Sequence, residues 1–75
     1  MTLVNQDLIL ETAMNMGEFS TMQMTFKVYG DLHYNHLSAV HHKLQTLCNR
    51  GFVEKVGKRK DQHSNQPQTY WKAIQ

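Results

Sequence analysis

The chain has 75 residues, a formal net charge of +2 and one cysteine. This length predicts one small domain, residues 1–75, with too few apolar side chains to line a deep catalytic cavity. A single cysteine excludes an intramolecular disulfide framework. Residues 1–16 lack the basic start of a secretory signal, and no apolar run approaches the ~18 residues of a membrane span. We therefore expect a cytoplasmic protein without a membrane partner.

The first predicted element is a helix that begins after Asn5. Asparagine is a favourable N-cap, and Asp7 suits the positive end of a helix in the first turn. Gly17 supplies the stop. Apolar residues recur at helical spacing between these signals and predict the buried side, namely Ile9, Leu10, Ala13 and Met16.

A second helix is predicted to begin after Ser20. Gln23 lies three residues further on, which is the spacing of a capping box. Phe19 precedes it in a short link that could form a single strand-like bridge. The helix should end at Gly30, and its core-facing residues should be Met24 and Val28.

The third predicted helix has a clear end and an unclear start. Gly51 stops it, and Asn35 is the best N-cap by residue type. The segment from Gly30 to Val40 is longer than usual, so either the helix begins early, near Tyr34, or the preceding turn is expanded. Its apolar stripe is Leu37, Val40, Leu44 and Leu47.

Two β-strands are predicted after the third helix. Residues 52–57 and 69–74 are rich in β-forming side chains, and the polar residues 58–67 separate them as a long loop. Because Lys72 prefers water, alternation places Trp71 and Ala73 towards the core and Tyr70 outside.

The run from Val40 to Val53 resembles the recognition-helix-into-wing segment of winged helix-turn-helix domains in small bacterial and phage transcription regulators. In that family, the apolar residues matching Val40, Leu44 and Leu47, and the glycine matching Gly51 with its two apolar followers, set the packing. The resemblance implies an α+β, mainly α fold with three helices and a C-terminal two-stranded β-hairpin wing. It also implies sequence-specific binding to double-stranded DNA, with the third helix in the major groove and the basic wing on the backbone or in the minor groove.

The charge distribution agrees with a polyanionic partner. Residues 1–34 contain one base and four acids, whereas residues 35–75 contain seven bases and two acids. A solvated surface that only keeps the protein soluble would also give this pattern. The predicted phosphate contacts in the wing are Lys58, Arg59 and Lys60.

The exposed side of the third helix supplies the predicted base contacts. Asparagine pairs well with adenine, lysine reaches guanine, and alanine contacts a thymine methyl. Asn35 could instead be only a helix cap. The candidates, of which His42 and Lys43 are the strongest, are Asn35, His36, Ser38, Ala39, His42, Lys43 and Thr46. Five polar loop residues could extend the DNA contact through hydrogen bonds or could equally be solvated, namely Gln62, His63, Ser64, Asn65 and Gln66.

Five histidines invite a metal hypothesis, but neither CxxC nor HxxxH spacing occurs, so we expect no metal and no cofactor. The chain contains no signature of a hydrolase, nucleotide-binding loop or metalloprotease, and Cys48 adjoins an apolar stripe as an inert thiol. We therefore expect a protein that is not an enzyme.

As a small regulator, the protein would occupy a DNA site as a repressor or recruit other regulatory proteins, and a homodimer could form through the residues before Asn5 or through the first helix. Two other interpretations stay open. A protein-interaction adaptor would use the acidic first half and an exposed Tyr70. A single-stranded nucleic-acid binder would stack bases on the same tyrosine.

Overall fold

The computed structural model describes residues 4–60 and 66–74. These residues form three helices and a three-stranded antiparallel sheet, which is the predicted α+β class. The elements follow one another as α1 (Gln6–Met16), β1 (Phe19–Ser20), α2 (Thr21–Tyr29), α3 (Tyr34–Asn49), β2 (Val53–Lys60) and β3 (Pro67–Ala73). Across both described ranges, every helix is too short or too polar to cross a bilayer.

The first two helices begin where their capping residues predict. Asn5 Oδ1 accepts a hydrogen bond from the Leu8 N–H at 2.9 Å. Ser20 and Gln23 form both bonds of the predicted capping box, with N···O distances of 3.1 Å. These side chains satisfy amide groups that the first helical turn leaves without backbone partners.

The third helix begins earlier than the Asn35 cap predicts. His33 is the N-cap, and its Nδ1 accepts a hydrogen bond from the Asn35 N–H at 3.4 Å. Asp31 Oδ1 in turn accepts from the His33 N–H at 3.1 Å, which holds the turn before the helix. The prediction of Asn35 as a cap is therefore wrong, and the alternative start near Tyr34 is correct.

The sheet is larger than the predicted two-stranded hairpin. Its strand order is β1-β3-β2, and the short β1 pairs Phe19 with Trp71 and Ser20 with Tyr70. A third strand is thus present in addition to the hairpin, and β3 is the central strand. The apolar Phe19 becomes a fully buried part of the core through this pairing.

The hairpin strands are also longer than predicted. Strand β2 extends to Lys60 and β3 begins at Pro67, so residues 58–60 and 67 of the segment predicted as a loop are paired strand. Backbone hydrogen bonding between the two strands continues beyond the core, into a part of the hairpin where the β2 side chains are polar and exposed. The predicted loop residues 61–65 lie outside the described residues.

Trp71 lies at the centre of the core. Its side chain is fully buried, and its Nε1–H donates to Thr21 Oγ1 at 3.0 Å, which ties β3 to the start of α2. Ala73 is buried on the same side, as predicted from alternation. Helix α3 packs against this centre through its predicted stripe residues Val40, Leu44 and Leu47, so the core fixes α3 relative to the sheet.

Candidate nucleic-acid interface

A groove separates α3 from the β2–β3 hairpin. Its volume is about 430 Å³, and the first residues of α2 close one end. We call it the α3–hairpin groove. The α3 wall consists of Tyr34, Leu37, Ser38 and His41, and the hairpin wall consists of Lys58, Pro67, Gln68 and Thr69. Ser38 and Lys58, which were predicted as DNA contacts from two separate segments, therefore line one groove.

Helical spacing explains which side chains of α3 face the hairpin. Residues four and seven positions apart share one side of a helix, and Tyr34, Ser38 and His41 have this spacing. Asn35 and His42 are also seven apart and lie on a neighbouring side, where both are exposed. Helix α3 thus presents two adjacent polar sides, one towards the groove and one away from the core.

Lys43 lies on the opposite edge of α3. It is half-buried and lines a shallow hollow together with residues 4–7 at the start of α1. Ala39 is also half-buried, and Thr46 donates its hydroxyl to the His42 carbonyl oxygen at 3.1 Å. Of the two strongest candidates, only His42 lies on the fully exposed side.

His36 is occupied by the turn between α2 and α3. Its ring stacks on Tyr29 with a centroid distance of 3.9 Å, and its Nδ1 lies 2.7 Å from Asp31 Oδ1. The hydrogen bond from His36, reinforced by the His33 backbone N–H, lowers the pKa of the Asp31 carboxyl below its ordinary value. Since its ring is used in this way, His36 has a structural role besides the predicted DNA contact.

A β-bulge decides which lysines of β2 face α3. The pairing with β3 shifts between Lys55, opposite Trp71, and Gly57, opposite Tyr70. Side chains alternate between the two faces of a strand, and one extra residue reverses the alternation beyond it. Because Lys58 lies opposite Thr69, it shares the sheet face of Trp71, which is the face turned towards α3.

Regular alternation beyond the bulge separates cations that are consecutive in the sequence. Lys60 lies opposite Pro67, and therefore on the same sheet face as Lys58, whereas Arg59 lies opposite Gln68 on the other face. The Arg59 guanidinium there contacts the Glu18 carboxylate and covers the Tyr70 ring at 4.5 Å from its centroid. The three cations were predicted to act together, but the structure places Arg59 apart from Lys58 and Lys60.

The α3–hairpin groove carries positive charge only. Its lining includes Lys58, and no acidic side chain lines it within the described part of the chain. Glu18 and Glu54 lie near the other face of the sheet, close to Arg59 and opposite Lys72 respectively. The sheet face turned towards α3 carries Lys55, Lys58 and Lys60, which makes it suitable for an anionic ligand.

Three residues of this surface were missed by sequence reasoning. Tyr34 was taken as the residue before a cap, yet it is the first residue of α3 and 78 % exposed. His41 was not among the predicted contacts, yet it is exposed, with its ring centroid 5.8 Å from that of Trp71. Lys55 joins the lysine face, with Nζ 5.5 Å from the centroid of the Trp71 ring. The four-residue spacing of Tyr34 and Ser38 was the available signal for the first of these.

The remaining predictions concern the loop after β2 and a possible metal site. Of the loop candidates, Gln66 is described and exposed, whereas residues 62–65 lie outside the described residues. Over residues 4–60 and 66–74, no three His, Cys, Asp or Glu side chains are arranged to hold a metal ion.

Comparison with known proteins adds no family to this description. No protein-family model matches the chain. A search of curated proteins likewise finds no match.

Proposed function

We propose that this protein is a winged helix-turn-helix domain that binds double-stranded DNA and regulates transcription by occupying its site. Helix α3 enters the major groove, and the β2–β3 hairpin is the wing, which lies on the flanking backbone or in the minor groove. The observation that carries the proposal is the α3–hairpin groove, where polar side chains of α3 and a lysine of the hairpin face each other.

The exposed side of α3 has the chemistry for reading bases. Sixteen helical residues extend about 24 Å, and the major groove is wide enough for an α-helix. Asn35, Ser38 and His42 are exposed and present amide, hydroxyl and imidazole groups on the two adjacent polar sides of α3. Such short polar side chains form hydrogen bonds with base edges and phosphates.

The lysine face of the hairpin supplies the electrostatic component. Lys58 and Lys60 are exposed and follow each other along one face of β2, with Lys55 closer to the core. Each lysine that neutralises a phosphate releases a counterion from DNA, which favours binding and makes it depend on salt. The proposed wing contact is therefore the trio Lys55, Lys58 and Lys60 rather than three consecutive residues.

A protein-docking role is the second candidate, because apolar side chains also line the groove. Met22, Leu37 and Pro67 lie there beside Lys58. An adaptor of this kind would bind a partner protein in the groove and would have no affinity for DNA.

Salt-dependent binding to duplex DNA tests the proposal. Fluorescence anisotropy with a random-sequence duplex at 50–200 mM salt should give a linear plot of log affinity against log salt, with a slope of about −3 if three lysines contact phosphates. A single strand of the same sequence should compete less well than the duplex. Absence of duplex binding at 50 mM salt would rule out the DNA-binding proposal and favour the adaptor.

A further inference from the structure

Tyr34 is the most exposed large apolar side chain among the described residues. Its exposed fraction is 78 %, compared with 57 % for Phe26 and 52 % for Met14. It is the first residue of α3 and lines the α3–hairpin groove. We infer that the Tyr34 ring contacts the 5-methyl group of a thymine in the major groove and so adds specificity for that base. This inference rests on the proposed DNA-binding function.

The position of Tyr34 on α3 supports a base contact. In helix-turn-helix docking, the first residues of the recognition helix approach the base edges. Ser38 follows one turn later on the same side of α3, and Lys58 lies across the groove on the hairpin. A DNA strand whose phosphate contacts Lys58 would therefore bring its bases past the first turn of α3.

The chemistry of the ring selects the thymine methyl among the groups in the major groove. A large, mostly apolar ring gains little from the hydrogen-bonding edges of guanine or adenine, whereas the thymine methyl is the one apolar group displayed there. The nearest acid along the chain is Asp31, and its carboxylate is occupied by His36 and by the His33 N–H. These hydrogen bonds hold the carboxylate in the turn before α3.

The experiment combines two replacements, one in the protein and one in the DNA. A duplex selected from random sequence would be resynthesised with uracil in place of each thymine in turn, which removes only the methyl group. Wild type should lose about fourfold in affinity at one position, the value expected for one buried methyl-sized group. Tyr34→Ala should show no such loss at that position, whereas Tyr34→Phe should behave as wild type.

Phe26→Ala provides the matched control. Phe26 is also an exposed aromatic residue, but it lies on α2 and is not part of the groove lining. This variant should keep the full uracil penalty. Circular dichroism of each variant would confirm that the helices are intact.

The outcomes separate this inference from the proposed function. If Tyr34→Ala keeps the same uracil penalty, or loses affinity equally for all sequences, the methyl contact is wrong while DNA binding stands. If wild type shows no penalty at any thymine, the inference is likewise overturned. If wild type does not bind duplex DNA at all, both proposals are wrong.

Discussion

Lys58 and Arg59 are neighbours of equal charge in very different surroundings. Lys58 lies on the sheet face turned towards α3 and lines the α3–hairpin groove. Arg59 lies on the opposite face, where Glu18 and the Tyr70 ring occupy its guanidinium. One cation is available to a ligand, whereas the other holds the end of β1 to the hairpin. A run of basic residues on a strand is therefore two sets of residues rather than one patch.

The largest expected effect tests this division directly. Replacement of Lys55, Lys58 and Lys60 together by alanine should weaken binding to every duplex and reduce the steepness of the salt dependence by about 2.7, or 0.9 per lost contact. At 0.1 M salt this corresponds to roughly a several-hundred-fold loss of affinity. Anisotropy titrations at several salt concentrations would measure both quantities.

A second triple variant with the same change in net charge is the control. Lys27, Arg59 and Lys72 do not line the groove, and their replacement by alanine should leave the salt dependence close to that of wild type. Loss of the exposed Arg59–Glu18 pair should cost at most about 1 kcal/mol in the free energy of unfolding. Equal losses of DNA affinity in the two triple variants would show that only total charge matters, against the proposed wing contact.

A smaller effect is expected from a change at the bulge, which sets Lys58 rather than Arg59 on the sheet face towards α3. Gly57 has φ of 147°, a backbone conformation that residues other than glycine rarely adopt. Space is not the obstacle, because a Cβ added there would have no atom within 4 Å. Gly57→Ala should therefore lower the free energy of unfolding by about 1–3 kcal/mol through backbone strain alone. Urea denaturation would measure it, with Val56→Ala, an exposed neighbour, as the control. An unchanged midpoint would mean that the bulge relaxes without strain.

Local signals in the sequence were sufficient for the number and order of the helices, for the presence of the hairpin and for most of the core. The capping box at Ser20 and Gln23, the glycine stop at Gly17 and the alternation around Trp71 each depend on residues close together in the chain. Such features follow from backbone chemistry within one turn or one strand. They were therefore predictable before any tertiary contact was known.

Which sheet face each cation of the β2–β3 hairpin occupies could not be predicted in the same way. It depends on the register between β2 and β3, and one extra residue near Val56 reverses it. The pairing of β1 with β3 likewise joins residues about 50 positions apart. The predicted start of α3 was wrong for a different reason. His33 is the N-cap, although residue preferences favour Asn35 for that position.

His42 and Lys43 repeat the comparison on α3, with a smaller expected effect. His42 lies on the exposed side, whereas Lys43 is half-buried beside the start of α1. His42→Ala should change the ranking of selected DNA sequences, by about 1 kcal/mol at one base pair. Lys43→Ala should leave that ranking nearly unchanged. The reverse result, with Lys43 governing sequence preference, would show that the α1 edge of α3 faces the bases.

The smallest expected effect concerns Asp31, whose side chain, like that of Arg59, already contacts another polar side chain of the protein. The His36 hydrogen bond lowers the pKa of the exposed Asp31 carboxyl in the folded protein below 3.8. A lowered folded-state pKa means that the ionised carboxylate stabilises the fold above pH 3.8, and that this stabilisation disappears as the pH falls through the lowered value. Asp31→Asn should therefore be slightly less stable than wild type at pH 6, and the difference should shrink towards pH 2. Urea midpoints at both pH values would test this, and a difference of equal size at both would mean that the His36–Asp31 contact does not depend on the carboxylate charge.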